Sequence, residues 1–128
     1  MNSIIGIGAE IVECLRIRRM IEKHGELFLT RVYTDAEIRA CQDRRQTTEY
    51  FAAFWAAKEA VFKSLGKRWR KGMSWTEIEI HLQTSGATTV ELQGAAKELA
   101  DSRGVGEVMV TIAYCRAYAT ANAIALGT

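Results

Sequence analysis

From about Thr47 to Leu65 the chain runs without a glycine, is rich in alanine, and meets Gly66 at its end. Alanine is the strongest helix former and glycine the commonest residue just past a helix, so the spacing predicts one long helix over 47–65. The whole sequence lacks proline. Its turns must then rest on glycine, which makes Gly25, Gly66, Gly72, Gly86, Gly104 and Gly106 the natural breakpoints.

Between those breakpoints the shorter elements can be read from their periodicity. Ile4 to Val12 alternates as a strand, with Ile5, Ile7, Ala9 and Ile11 on one side and Gly6, Gly8 and Glu10 on the other. The two glycines leave room on the Glu10 face for a ligand or another backbone, and Glu10 is expected at an open strand end. Cys14 to about His24 has helical spacing of Ile17, Met20 and Ile21, with Arg16, Arg19 and Lys23 sharing the other face and Gly25 as the stop. Thr34-Asp35-Ala36-Glu37 has the capping-box pattern and opens a short helix to about Arg44, with Phe28, Leu29, Val32 and Tyr33 packed beneath. Ile78, Ile80 and Leu82 alternate with Glu77, Glu79 and His81, and Thr84-Ser85-Gly86 turns toward a strand around Thr89 to Leu92, which makes a hairpin. Gly94 to Arg103 reads as a helix, and Val108 to Tyr114 and Tyr118 to Leu126 as closing strands.

At 128 residues, 48% of them apolar and 25% charged, residues 1–128 are expected to form a single domain with one core. A net charge of +2 argues against wholesale nucleic-acid binding and confines basic chemistry to local clusters. One is the first helix; the other is Lys63, Lys67, Arg68, Arg70 and Lys71 around a loop. Cys14, Cys41 and Cys115 are widely spaced and odd in number, which suits a reducing compartment. The start lacks a basic segment leading into a long apolar one, and no run of about 18 apolar residues follows. A cytoplasmic protein, neither membrane-bound nor nucleic-acid-binding, is expected. His24 and His81 stand alone in the sequence, outside any ligand cluster, and read as structural or solvent-facing.

Chemistry centres on the long helix. At 100° per residue Trp55, Glu59, Phe62 and Lys63 share one face, with Ala57 and Val61 on the far side. A carboxylate one turn before a lysine can hold a divalent cation and pin a phosphate. The same spacing also describes an ordinary surface Glu–Lys pair, worth a few tenths of a kcal/mol.

The full string Trp55-Ala56-Ala57-Lys58-Glu59-Ala60-Val61-Phe62-Lys63, followed by Ser64-Leu65-Gly66, resembles the WxxKEAxxK signature of phosphopantetheinyl transferases. The opening Gly6-Ile7-Gly8-Ala9-Glu10-Ile11-Val12-Glu13, with Arg16 and Ile17 beyond, is similar to that of one branch, the small holo-acyl-carrier-protein synthases. Ser74-Trp75-Thr76-Glu77-Ile78-Glu79 and the closing Arg116 and Tyr118-Ala119 match as well, so the resemblance covers essentially the whole chain. It implies an α+β fold, an antiparallel sheet packed against a long helix, in a homotrimer with active sites between neighbouring subunits. It also implies transfer of the 4′-phosphopantetheine arm of coenzyme A to a serine of an apo acyl-carrier protein, with Mg²⁺ as cofactor. By position, Glu10 and Glu59 would hold the metal and Lys63 would contact phosphate. Glu59 and Lys63 are the expected catalytic pair, and Lys63, Gly66, Lys67 and Arg68 the expected coenzyme A contacts, with Trp69 available to stack on a base. Arg16, Arg19 and Lys23 would dock an acidic carrier protein.

The chain departs from the family pattern at four places. Glu10 replaces Asp; Phe54 stands where an arginine is usual; Lys67-Arg68 follow Gly66 in place of a small residue and glycine; and Ile112-Ala113-Tyr114 replaces a hydrophobic-Ser-His run. The changes at 54, 113 and 114 all reduce polarity, and an apolar gain on a surface can also mark a new interface. The alternative reading is therefore a catalytically impaired or engineered homologue serving as a trimeric scaffold.

Overall fold

The computed structural model describes residues 3–66 and 71–128, so Lys67, Arg68, Trp69 and Arg70 lie outside the described residues. In chain order the elements are β1 (Ile4–Glu13), α1 (Cys14–His24), α2 (Glu26–Val32), α3 (Asp35–Gln42), α4 (Thr47–Ser64), a 3₁₀ turn (Trp75–Glu77), β2 (Ile78–Leu82), β3 (Thr88–Leu92), α5 (Gly94–Ser102), β4 (Val105–Tyr114) and β5 (Tyr118–Gly127). The strands form two antiparallel groups, a three-stranded sheet in the order β1-β5-β4 and the β2-β3 hairpin.

Alanine on both sides explains how α4 crosses the sheet. Ala52, Ala53, Ala56, Ala57 and Ala60 of α4 are buried, and so are Ala119, Ala121, Ala123 and Ala125, every second residue of the central strand β5. Small side chains on each surface bring the helix axis close to the sheet. On β1 even a methyl is too large. A Cβ at Gly6 would run into the Ser64 carbonyl oxygen, and one at Gly8 into the Ala60 carbonyl oxygen and, at 2.9 Å, the Lys63 Cβ. The space that the two glycines open is thus taken by the backbone of α4, the second of the two occupants the sequence allowed.

This seating turns the isoleucine side of β1 outward. Ile7 is 71% and Ile11 60% exposed, and register places Ile7 beside Ile124 of β5 and Ile124 beside Met109 of β4. The sheet thus has one face packed on α4 and one apolar face uncovered within the chain. The expected open strand end at Glu10 is corrected as well: β1 continues to Glu13, and Glu10 pairs with Ala121 inside the ladder.

One further element and one residue differ from expectation. Gly25 (φ 54°) ends α1 as expected, but the chain enters a second helix directly after it, residues 26–32, which buries Phe28, Leu29 and Val32. Phe54, a residue whose apolar character could have signalled a surface patch, is a core side chain, 1% exposed.

The capping box is present and carries a second duty. Thr34 Oγ1 accepts from the Glu37 amide at 3.2 Å, and Glu37 Oε1 accepts from the Thr34 amide at 2.8 Å. The same carboxylate is wholly buried, accepts from the Ile80 amide at 2.7 Å and pairs with Lys58 Nζ at 2.8 Å. Lys58 Nζ also donates to the carbonyls of Trp75 (3.0 Å) and Ile78 (2.5 Å). One buried ion pair therefore ties α3, α4 and β2 together.

Candidate active site

The helix α4 delivers its mixed face as the wheel predicts: Trp55, Glu59, Phe62 and Lys63 are all half-buried, while Ala57 and Val61 are buried in the core. An aromatic wall holds this face. Trp55 stacks on Phe28 with ring centroids 5.9 Å apart, and Phe62 meets Trp75 edge-on at 5.5 Å.

Because Gly6 and Gly8 let α4 lie against β1, the last turns of the helix meet Glu10. Lys63 Nζ donates to the Ala9 carbonyl at 3.0 Å and sits 3.3 Å from Glu10 Oε2. Both side chains are about three-quarters buried, so the pair is shielded from solvent more than a surface ion pair is. Among the described residues two oxygens hold the ammonium, which carries three donors. Glu59, one turn earlier on the same face, brings a second carboxylate to this end of α4. Of the three residues expected to form a metal and phosphate site, Glu10 and Lys63 meet directly, and Glu59 lies one helical turn from Lys63 on the same half-buried face.

Gly66 follows directly, with φ 102°, a conformation that side chains rarely adopt. The Arg103 guanidinium lies over its α-carbon, where any added Cβ would collide with it. The sequence reading missed Arg103, since only the approach of the α5–β4 corner to the end of α4 brings it there. Of the remaining expected coenzyme A contacts, Lys67 and Arg68 lie outside the described residues.

Arg16, Arg19 and Lys23 are all exposed on the outer side of α1, while Arg18 pairs with Glu22 at 3.6 Å. Tyr114 closes β4 beneath the first turns of α4, its ring 5.0 Å from that of Tyr50 and the two hydroxyls 3.4 Å apart. The Arg44 guanidinium sits over the Tyr50 ring at 4.8 Å. Tyr50 and Lys63 are 13 residues apart along α4, about 20 Å at 1.5 Å per residue. Within the sheet, register sets Ile112 two strands across from Glu10 and Tyr114 two residues further along.

A cavity of about 630 Å³ opens between β3 and β4, lined by Val90, Leu92, Val108 and Val110 and reaching Met109 and Ile124 of the uncovered sheet face. None of Glu10, Glu59 and Lys63 lines it. Among the described residues no helix is long and apolar enough to cross a membrane.

A short antiparallel sheet crossed by a long helix is an architecture found in solved acyl-carrier-protein synthases. The acyl carrier protein synthase of Plasmodium yoelii with ADP bound superposes with a TM-score of 0.88 at 30% identity, over 100% of this chain and 98% of that one. The holo-[acyl-carrier-protein] synthase of Helicobacter pylori in complex with coenzyme A does so with a TM-score of 0.80 at 28% identity, over 93% and 98%. In sequence the chain is 44% identical to the holo-[acyl-carrier-protein] synthase of Rhodopirellula baltica, covering 95% of this chain and 97% of that protein. It is 38% identical to the synthase of the same name from Koribacter versatilis, covering 94% and 97%. The family model of the 4′-phosphopantetheinyl transferase superfamily matches residues 6–122. The chain belongs to this superfamily, as an enzyme of the holo-acyl-carrier-protein synthase type.

Proposed function

We propose that the chain transfers the 4′-phosphopantetheine arm of coenzyme A to a serine of an apo acyl-carrier protein in a Mg²⁺-dependent reaction. The observation that carries this reading is the Glu10–Lys63 pair at the helix–strand junction, with Glu59 one turn earlier on the same half-buried face of α4. Its donor set suits the metal: Mg²⁺ takes one or two carboxylates and fills its other positions with phosphate oxygens and water. Glu10 and Glu59 would hold it, and when bound it would neutralise charge building on the pyrophosphate.

The chain's own groups supply the rest. Lys63, anchored by the Ala9 carbonyl and the Glu10 carboxylate, keeps its positive charge in place for a phosphate oxygen. The carrier serine attacks the phosphorus that bears the pantetheine arm, the bond to the nucleotide phosphate breaks, and the serine proton passes to a carboxylate of the site or to water. Gly66, Lys67 and Arg68 would bind the nucleotide phosphates, and Arg103 adds a further cation beside Gly66. The exposed row of Arg16, Arg19 and Lys23 offers an acidic carrier protein a steering surface.

A homotrimer accounts for a feature that a lone chain leaves without a purpose. The apolar outer face of the β1-β5-β4 sheet needs cover, and the cavity between β3 and β4 opens onto it. Incubation with apo carrier protein, coenzyme A and Mg²⁺, followed by intact-mass spectrometry, tests the proposal. The expected result is carrier protein heavier by one phosphopantetheine and dependent on Mg²⁺. Unmodified carrier at high enzyme concentration refutes it and favours the non-catalytic scaffold.

A further inference from the structure

The outer face of the β2–β3 hairpin gathers three ligand groups that the transfer reaction does not use. Glu79 and Glu91 stand directly opposite each other in the ladder, and His81 is two residues from Glu79 on the same face. One ligand atom from each lies within 4.8 Å of the others. His81 Nε2 is 3.0 Å from Glu79 Oε1 and 3.5 Å from Glu91 Oε2.

Two carboxylates paired across an antiparallel ladder repel, and here the cost is raised because the Glu79 side chain is only 15% exposed. A positive charge between them is favoured. Lys58 reaches Glu79 electrostatically, but its hydrogen bonds go to Glu37 and two backbone carbonyls. Nε2 is itself buried, although the ring is 37% exposed, and among the described residues it has no hydrogen-bond partner despite lying 3.0 Å from Glu79. Two carboxylate oxygens and an imidazole nitrogen gathered without a hydrogen bond from that nitrogen can serve as ligands of a common ion. In a tetrahedral Zn²⁺ site with bonds of about 2.0–2.1 Å, neighbouring ligand atoms are about 3.4 Å apart. The two distances at His81 lie on either side of that value, and the three ligand atoms fall within 4.8 Å of one another.

We propose that Glu79, His81 and Glu91 form a binding site for a borderline divalent cation, best matched by Zn²⁺, that clips β2 to β3. An imidazole nitrogen with two carboxylates suits Zn²⁺ and its neighbours in the series; Mg²⁺ strongly prefers oxygen ligands. The two carboxylates balance the charge of the ion, and a fourth position is left for water. Glu79 sits between the residues of β2 that hold the Lys58–Glu37 pair, Ile78 through its carbonyl and Ile80 through its amide. A bound ion would therefore stiffen the strand on which α4 is anchored.

The test uses the whole chain, stripped with chelator and kept in millimolar Mg²⁺ so that the carboxylates of the transfer site are occupied. Calorimetric titration with ZnCl₂ should show one equivalent bound per chain, and CoCl₂ should give visible bands of nitrogen–oxygen coordination without a thiolate band. His81→Gln and Glu91→Gln should each weaken Zn²⁺ by at least about tenfold. Glu91 is 59% exposed, so that variant keeps the test valid should the change at His81 disturb folding. Cys115→Ser should leave the titration unchanged. Absence of saturable Zn²⁺ binding, or unaltered affinity in both glutamine variants, overturns the proposal and leaves the three side chains as a polar cluster of the hairpin.

Discussion

Replacing Lys58 by methionine keeps most of the side-chain volume and removes the ammonium from a site where neither partner meets solvent. The side chains of Lys58 and Glu37 are 1% and 0% exposed. Three bonds of Nζ are lost, to Glu37 at 2.8 Å, Trp75 O at 3.0 Å and Ile78 O at 2.5 Å. Glu37 is left as a buried carboxylate with two amides and no counter-ion, and breaking such a pair costs about 3–5 kcal/mol. The carboxylate can escape by taking a proton. Burial already pushes its carboxyl above the ordinary range, and Lys58 is the strongest influence holding it down. Without Lys58 its folded pKa climbs further above the unfolded value, so protonation favours the fold. The deficit of Lys58→Met should then be largest near neutral pH and shrink as pH falls toward the ordinary carboxylate range, about 4.3. Urea unfolding at fixed chain concentration, at several pH values, measures this. Adding Glu37→Gln should recover part of the loss, since the amide removes the stranded charge while still accepting from a backbone N–H. A variant within about 1 kcal/mol of the parent at neutral pH, or a deficit that does not change with pH, would refute the account of a structural ion pair.

Three further outcomes follow from the same geometry. Gly8→Ala drives a methyl into the Ala60 carbonyl and the Lys63 Cβ; it should cost about 1–3 kcal/mol in chemical denaturation and lower transfer activity by displacing Lys63. Ile7→Glu places a charge on the uncovered sheet face and should shift the species seen by size exclusion with light scattering from the proposed trimer to monomer, with little change in the helical circular dichroism of the monomer. Reversing the charges of Arg16, Arg19 and Lys23 to Glu should raise KM for the carrier protein and flatten its salt dependence, leaving kcat nearly unchanged.

Much of this molecule was legible in the sequence because local rules agree with the final packing. The long helix, the capping box at Thr34, the hairpin and the closing strands all follow from propensity and periodicity, and the half-buried Glu59–Lys63 face follows from the helical wheel. Long-range geometry was not legible. Periodicity separated the two faces of β1 but could not say that the glycine face would be the buried one, since that depends on the backbone of α4 arriving there. The capping box announced one role for Glu37 and hid its pairing with Lys58, 21 positions on. His81 looked solitary because its partner Glu91 is a neighbour only once the hairpin register is set. Arg103 joins Gly66 for the same reason, and the departure at Phe54 finds its explanation in the core.

The central claim is that Glu10, Glu59 and Lys63 form a working metal and pyrophosphate site. Calorimetric titration of the chain with coenzyme A, with and without Mg²⁺, tests it most directly, alongside Glu59→Gln as the variant that removes one carboxylate and preserves shape. The account predicts coenzyme A binding that depends on Mg²⁺ in the parent chain and is weakened at least about tenfold in Glu59→Gln, with thermal unfolding nearly unchanged. Coenzyme A binding of equal strength with and without Mg²⁺, or untouched by the Glu59 substitution, would contradict it.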